Sequence, residues 1–273
     1  MKFITNGELA YFVPENIDSK KAAAVFATRL GGVSDISPTV ASLNLGSFGG
    51  RYDSRESVWE NYRIIADAFG FPVNNIIYAR QQHTDTILIA DNHTIAPLTL
   101  PIPDDFIYDA MVTNTPGIAL TARSADCVPI LFYDGDNNAI GAAHCGWRGT
   151  AMGLQAKTAK KMGELYGSDL SKLKAAIGPC ISKCCYEVSD DVYNEFANIL
   201  GEQIKAHFSA MPNGKYMCDL KSINKFLLCE GGLCERNITV SQNCTCCEPE
   251  LFYSHRRDGE NRGTHAAFIC LKM

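Results

Sequence analysis

Three side chains in this sequence are suited to metal or nucleophilic chemistry, and each stands where an apolar strand begins or ends. Cys127 lies in "ADCVP", His144 in "AAHCGWRG" and His83 in "RQQHTDT". Two imidazoles and one thiolate suit a zinc ion. Three protein ligands leave a fourth position for water or substrate, the arrangement of catalytic rather than structural zinc. Other readings stay open on these residues alone. A cysteine in an apolar strand is commonly a small core residue, and a histidine at a strand end commonly bonds only its neighbours. Cys127 as nucleophile with His144 as its base would need no metal. The separations are too long for a compact zinc-finger pattern, so spacing does not decide between them.

The elements that must position these residues are legible as short β-like runs. "PILFYD" (129–134) and "AIGAAHC" (139–145) flank "GDNN", a tight-turn sequence. The turn brings Cys127 and His144 to one end of an antiparallel hairpin. Cys145, next to His144, points to the opposite face. His83 follows the strand "NIIYAR" (75–80). Further runs read as strands at 9–13, 23–29, 86–91, 109–114, 118–122, 173–178 and 266–272. Helices are predicted at 54–70, 149–167, 189–208 (with Ser189 as N-cap) and 219–232, three of them stopping at glycine. Strands and helices do not alternate strictly, which points to an α+β fold with a mixed sheet. With no repeat, linker or composition break, residues 1–273 read as a single domain.

The bulk composition excludes several function classes. The chain has 273 residues, 46% hydrophobic, with a formal net charge of −5. A general nucleic-acid binder would carry a basic footprint, which is missing. The opening residues lack the apolar core of a signal peptide, and no apolar run approaches the roughly 20 residues of a membrane span. The expected address is the cytoplasm, with no nucleic acid and no membrane as partner. Twelve cysteines in a reducing compartment are core residues, metal ligands or nucleophiles rather than disulfides. The sequons "NHT", "NIT" and "NCT" then carry no sugar. A second metal or an iron–sulfur cluster would need four converging thiolates. "CTCC" (244–247) with "PCISKCC" (179–185) or "CEGGLC" (229–234) could supply them, but the plainer expectation is buried thiols.

The chain also resembles a known family, the laccase-domain family, also called YfiH or multicopper polyphenol oxidase-like, which includes purine nucleoside phosphorylases. The resemblance is carried by "ATRLGGVSD" (27–35), "ASLNLGS" (41–47), "RQQHTD" (80–85), "DAMVTNTPGIAL" (109–120), "SADCVPILFYD" (124–134), "AIGAAHCGWRGT" (139–150), "AAIGPCISKCCYEV" (175–188) and "FYSHRRDGENRG" (252–263). It implies a single α+β domain, a mixed β-sandwich flanked by helices. It implies that His83, Cys127 and His144 bind one Zn2+ and form the catalytic centre. The implied activity is phosphorolysis of adenosine, inosine, guanosine and S-methyl-5'-thioadenosine to base and ribose 1-phosphate, together with adenosine deamination. Purine nucleosides and phosphate are then the partners. For the phosphate, arginines and backbone N–H groups are the natural donors. Arg148, placed in a glycine-flanked loop entering a helix, comes first, then Arg29, with Arg256 and Arg257 weaker. Asn44 and Gln82 are candidate substrate contacts, and Glu187 a candidate acid/base.

The resemblance also implies two alternative activities for the same residues. A copper polyphenol oxidase needs a blue copper and a trinuclear cluster, more histidines than the six present, although Cu2+ could occupy the Cys/His/His site in place of zinc. A Cys–His hydrolase acting in peptidoglycan precursor editing would use Cys127 and His144 without a metal. The sequence does not give the oligomeric state.

Overall fold

The hairpin around "GDNN" is the centre of the molecule, a computed structural model that describes residues 1–46, 53–94 and 103–273. Strand Val128–Asp134 pairs antiparallel with Ala139–Cys145, with Asp134 opposite Ala139 at the turn and Pro129 opposite His144 at the other end. Asp134 closes the turn: its carboxylate accepts from the backbone N–H groups of Asp136 and Asn137 and from the Asn137 amide. Ser47, the last residue of the "ASLNLGS" block, lies outside the described residues.

These two strands read as continuous apolar runs because both of their faces are covered. Val128, Ile130 and Phe132 belong to one core, whereas Leu131 and Tyr133 belong to another. On the partner strand Ala139, Ala143 and Cys145 share the first core, and Ile140 and Ala142 the second. The alternation follows the two-residue period of a strand, and it turns Cys145 away from the His144 face.

Among the described residues the strands form three sheets. One six-stranded sheet runs Ile238–Val240, Lys174–Ile177, Val128–Asp134, Ala139–Cys145, Ala110–Thr113, Ile87–Ile89. The other runs Lys2–Asn6, Leu9–Val13, Ala22–Ala27, His265–Leu271, Ala119–Ser124, Ile76–Ile77. A three-stranded sheet of Glu187–Val188, Tyr216–Cys218 and Phe208–Ala210 stands apart. Both large sheets are mixed, with parallel pairs at Ile238–Val240, Ile87–Ile89 and Ile76–Ile77. Their facing sides enclose one apolar core, with Phe26, Leu120 and Ile269 of one sheet against Met111, Leu131 and Ile140 of the other. Helix Arg55–Phe69 covers the outside of one sheet through Val58, Tyr62 and Ile65. Helices Leu154–Tyr166, Asp190–Leu200 and Leu220–Glu230 cover the outside of the other. The expected α+β sandwich flanked by helices is the fold observed. No helix among the described residues is long and apolar enough to cross a membrane.

Several predicted elements differ from those found. The helix expected over 149–167 is two, Trp147–Ala151 and Leu154–Tyr166, separated at Gly153, whose φ of 76° a continuous right-handed helix excludes. The helix expected over 189–208 ends at Leu200. Gly201 takes φ 53°, a 3-10 turn and the short helix Ile204–His207 follow, and Phe208 opens a strand. Ser189 occupies the N-cap position there, but its side chain makes no capping bond. The helices at 54–70 and 219–232 are as expected, capped by Ser54 and Asp219, whose side chains accept from the N–H groups of Ser57 and Ser222. The expectation of buried thiols is corrected in part. Cys145, Cys180, Cys218, Cys244 and Cys270 are buried, but Cys184 and Cys247 are exposed and the remaining cysteines partly so.

Candidate metal centre

The site is assembled where the central hairpin opens, opposite its turn. Pro129 and His144 face each other across the strands, so Cys127 and His144 end up side by side. His83 arrives from the other sheet's neighbourhood, on the loop between Ile76–Ile77 and Ile87–Ile89. The Sγ of Cys127 lies 3.7 Å from Nε2 of His83. The rings of His83 and His144 stand 5.1 Å apart at 59°. One donor atom from each of His83, Cys127 and His144 lies within 4.8 Å of the other two. A tetrahedral zinc with Zn–S near 2.3 Å and Zn–N near 2.0–2.1 Å separates its sulfur and nitrogen donors by about 3.5 Å. The three residues therefore fit a single ion, and Gly146 leaves room for it. A Cβ on Gly146 would stand 2.5 Å from Cδ2 of His83 and 3.2 Å from Sγ of Cys127.

Asp109 holds this arrangement in place. One of its carboxylate oxygens accepts from the backbone N–H of His83 (3.1 Å) and bonds Nδ1 of His144 (2.8 Å). The other accepts from the N–H groups of Gln82 (3.1 Å) and Thr84 (2.7 Å) and from the Thr84 hydroxyl (2.8 Å). The Asp109 carbonyl also accepts from the backbone N–H of His144. One buried carboxylate thus fixes the His83 loop and the His144 ring together, and it leaves Nε2 of His144 for the site. Such a carboxylate–histidine pair is how metal sites set tautomer and ring orientation.

The electrostatics follow from these contacts. Burial works to raise the Asp109 carboxyl, but the hydrogen bond and charge of His144, with Thr84, outweigh it and hold the group at about 2. Burial likewise opposes charge on Cys127, but His144 and His83 bring its thiol down to about 6. His144 is pushed up to about 9, because Cys127 and Asp109 outweigh the opposing effect of burial. Both shifts favour a thiolate on Cys127 beside a protonated His144, and a cation held between them would take the place of the proton on Nε2.

The backbone is strained at the same place. His83 has φ 60° and Asp126, next to Cys127, has φ 100°, uncommon values for residues other than glycine. Asp126 is buried, and its carboxylate accepts from the Thr245 hydroxyl (2.6 Å), the Ser254 hydroxyl (3.0 Å) and the Arg256 N–H (2.6 Å). The Ser124 hydroxyl donates to the Cys127 carbonyl.

The other predicted residues are placed as follows. Gln82 joins the site through its main chain, by the N–H on Asp109. Arg148 lies within the helix Trp147–Ala151 rather than in a loop before it, exposed, with its guanidinium 4.3 Å above the Trp147 ring. Arg29 donates to the carbonyls of Ala41, Pro38 and Pro249 and lies over the Tyr253 ring. Asn44 is buried, donating to Asp53 and accepting from the N–H groups of Gly46 and Thr264. Glu187 bonds Lys215 and Asn213, which hold its carboxyl below the usual range against slight desolvation. The structure thus brings His83, Cys127, His144 and the Gln82 backbone together, and places Arg29 and Asn44 in separate hydrogen-bonded networks. Asp109 and Asp126 were given no role from the sequence. The available signal was a carboxylate inside a small, apolar run, "YDAMV" and "SADCV", where burial demands partners.

Comparison with known proteins places this site in context. Residues 23–272 match the family described as multi-copper polyphenol oxidoreductase laccase. A Mus musculus purine nucleoside phosphorylase, LACC1, is 34% identical over 251 residues, 90% of this chain; the chain spans only 55% of that relative's length. The purine nucleoside phosphorylase YlmD of Bacillus subtilis is 34% identical over 94% of this chain and 91% of its own. An adenosine deaminase, RL5, from an unknown prokaryotic organism is 31% identical over 90% of this chain and 92% of its own. The crystal structure of the Bacillus licheniformis hypothetical protein YfiH superposes with a TM-score of 0.89 at 32% identity, covering 99% of both chains.

Proposed function

This chain belongs to the multi-copper polyphenol oxidoreductase laccase family, and from that premise we propose that it is a zinc-dependent purine nucleoside phosphorylase whose centre is His83, Cys127 and His144. The observation that carries the metal part is the convergence of three donor atoms under one buried carboxylate, Asp109. The reaction is supported by the names of the phosphorylase relatives.

A zinc ion bound there supplies a Lewis acid that stabilises developing negative charge. The chain's own residues do the rest. Asp109 keeps Nδ1 of His144 protonated and Nε2 turned inward. Gly146 leaves space beside the ligands. Arg148 makes no side-chain hydrogen bond among the described residues, and its guanidinium is the donor proposed for phosphate. Arg29, whose donors already serve three carbonyls, takes a second place.

Two features separate this reading from its rivals. A metal-free Cys–His hydrolase would use Cys127, His144 and Asp109, but would give His83 nothing to do 3.7 Å from the sulfur. A multicopper oxidase would need many clustered histidines. Among the described residues His144 and His83 are the histidines in a group that could hold a metal ion, while His207 bonds Ser222 and His265 is buried in a strand.

The test is inosine incubated with the purified protein, with and without phosphate. Hypoxanthine and ribose 1-phosphate are expected only when phosphate is present. Cys127→Ala is expected to lose both the metal at this centre and at least about 100-fold in rate. Hypoxanthine released equally without phosphate would overturn phosphorolysis, and full activity in metal-free protein would overturn the metal. Adenosine converted to inosine without phosphate would add the deaminase activity of the relative RL5.

A further inference from the structure

A second set of chemically capable side chains lies outside this centre. The sulfurs of Cys184, Cys185, Cys244 and Cys247 all fall within 4.8 Å of one another. Cys184 and Cys247 are 3.5 Å apart and Cys185 and Cys247 3.3 Å. They come from two loops nearly sixty residues apart in sequence, Cys184 and Cys185 from one and Cys244 and Cys247 from the other.

We propose that Cys184, Cys185, Cys244 and Cys247 bind one Zn2+ in a closed four-thiolate site, distinct from the His83–Cys127–His144 centre. Four sulfurs each about 2.3 Å from one ion at tetrahedral corners stand about 3.8 Å apart. The Cys184–Cys247 and Cys185–Cys247 separations, 3.5 and 3.3 Å, fall a little short of that value, and all four sulfurs lie within 4.8 Å of one another. An iron–sulfur cluster places several irons between its ligands and needs its cysteines spread wider.

The backbone around the sulfurs is built as metal loops are built. Cys244 and Cys180 form a parallel bridge, and Thr245 donates its N–H to the Cys180 carbonyl, which zips the two loops together. Cys244 and Cys247 have the C-x-x-C spacing and close a turn, with the N–H of Cys247 on the Cys244 carbonyl at 3.2 Å. The Cys244 sulfur accepts from the N–H of Ser182 at 3.3 Å. Hydrogen bonds of this kind orient a thiolate ligand and tune its charge.

The surroundings offset charge as well. Four thiolates around Zn2+ carry a net charge of about −2. Lys221 is buried and donates to Ser182, Ser241 and Asn243. Arg256 donates to the Cys185 carbonyl, and Arg257, itself paired with Asp258, donates to those of Thr245 and Cys246. Cys184 and Cys247 are exposed, so an ion can enter. Binding exchanges four thiol protons for one Zn2+ and changes no oxidation state. The site also reaches the first centre, because Thr245 and Arg256 both bond Asp126, the neighbour of Cys127.

The test uses the full chain purified with a thiol reductant after growth in zinc-containing medium. Metal analysis is expected to find about two zinc ions per chain in the wild type, and about one in Cys127→Ala and in Cys184→Ser/Cys247→Ser. Since the double variant could misfold, Cys127→Ala protein is also stripped and refilled with Co2+. Strong sulfur-to-cobalt charge transfer, far above what one thiolate gives, is expected there. Cys184→His on the same background should retain the metal with a weaker band, while Cys184→Ser should lose affinity by about 10-fold or more. No zinc and no cobalt band in Cys127→Ala would overturn the proposal, as would a disulfide among the four cysteines under reductant or an iron–sulfur absorption. None of these outcomes depends on nucleoside turnover, so a failure here is distinguishable from failure of the phosphorylase reading.

Discussion

Asp109 does more for the centre than its single negative charge suggests. Its two oxygens receive three backbone N–H groups, one hydroxyl and one imidazole, and the side chain is fully buried. Asp109→Asn keeps the size but replaces an acceptor with an NH2 donor, which must then face donors. Buried groups left without partners cost about 1–3 kcal/mol. The loss of an orienting carboxylate lowers metal affinity by about 10–100-fold. The variant is therefore expected to fold, with a lower denaturant midpoint, and to bind zinc weaker by that factor. Competition against a chelating dye, with circular dichroism to monitor folding, checks both; an unchanged zinc affinity would mean that Asp109 holds only the loop. The candidate donors could be picked out in the sequence because Cys and His at strand ends are chemically conspicuous, but only the family resemblance joined His83, Cys127 and His144 into one set. Their geometry was not legible there, because it depends on an aspartate that is distant in sequence from all three donors.

At the level of elements, the glycines decide where the sequence reading fails. The helical spacing of Met152, Gln155, Ala159, Met162 and Leu165 continues across Gly153, so periodicity alone predicts one helix over 149–167. The chain instead turns at Gly153 with φ 76°, and a Cβ there would meet no atom within 4 Å. The space is open, so Gly153→Ala isolates the backbone cost of a left-handed residue, about 1–2 kcal/mol. The expected result is a lower urea midpoint with an unchanged slope and unchanged zinc content. A stabilised variant would show that the two helices can fuse into one. The hairpin was legible for the opposite reason. "GDNN" between two apolar runs is local turn chemistry, and its consequence, Pro129 opposite His144, follows from counting back along the ladder. Short strands such as Glu187–Val188 and Phe208–Ala210 carry too few residues to show a period, and their pairing comes from the tertiary structure.

For the whole molecule, the strand His265–Leu271 lies inside one large sheet and serves two cores, pairing with Ala22–Ala27 on one side and Ala119–Ser124 on the other, with Ala267 and Ile269 in the inter-sheet core and Phe268 in the outer one. It begins with a buried histidine. His265 is 3% exposed, neither ring nitrogen has a hydrogen-bond partner among the described residues, and the ring stacks on Tyr253. Burial, reinforced by the charge of Arg262, pushes its pKa down to about 3, against about 6.5 in an unfolded chain. The unfolded chain therefore takes up the proton first as pH falls. Stability is fully present above about pH 6.5, declines below it by at most about 1.4 kcal/mol per unit, and this loss is complete below about pH 3. Between pH 7 and 5 the histidine alone is expected to remove about 2 kcal/mol. His265→Leu removes the titrating group and leaves the strand apolar. Urea midpoints of the two proteins at pH 7 and pH 5 isolate it from the other ionisable groups, because those are common to both. The wild type should lose about 2 kcal/mol more than the variant over that range. Equal losses would mean that His265 finds a proton-accepting partner in the folded chain, and that the joint between the two sheets is wetter than its burial indicates.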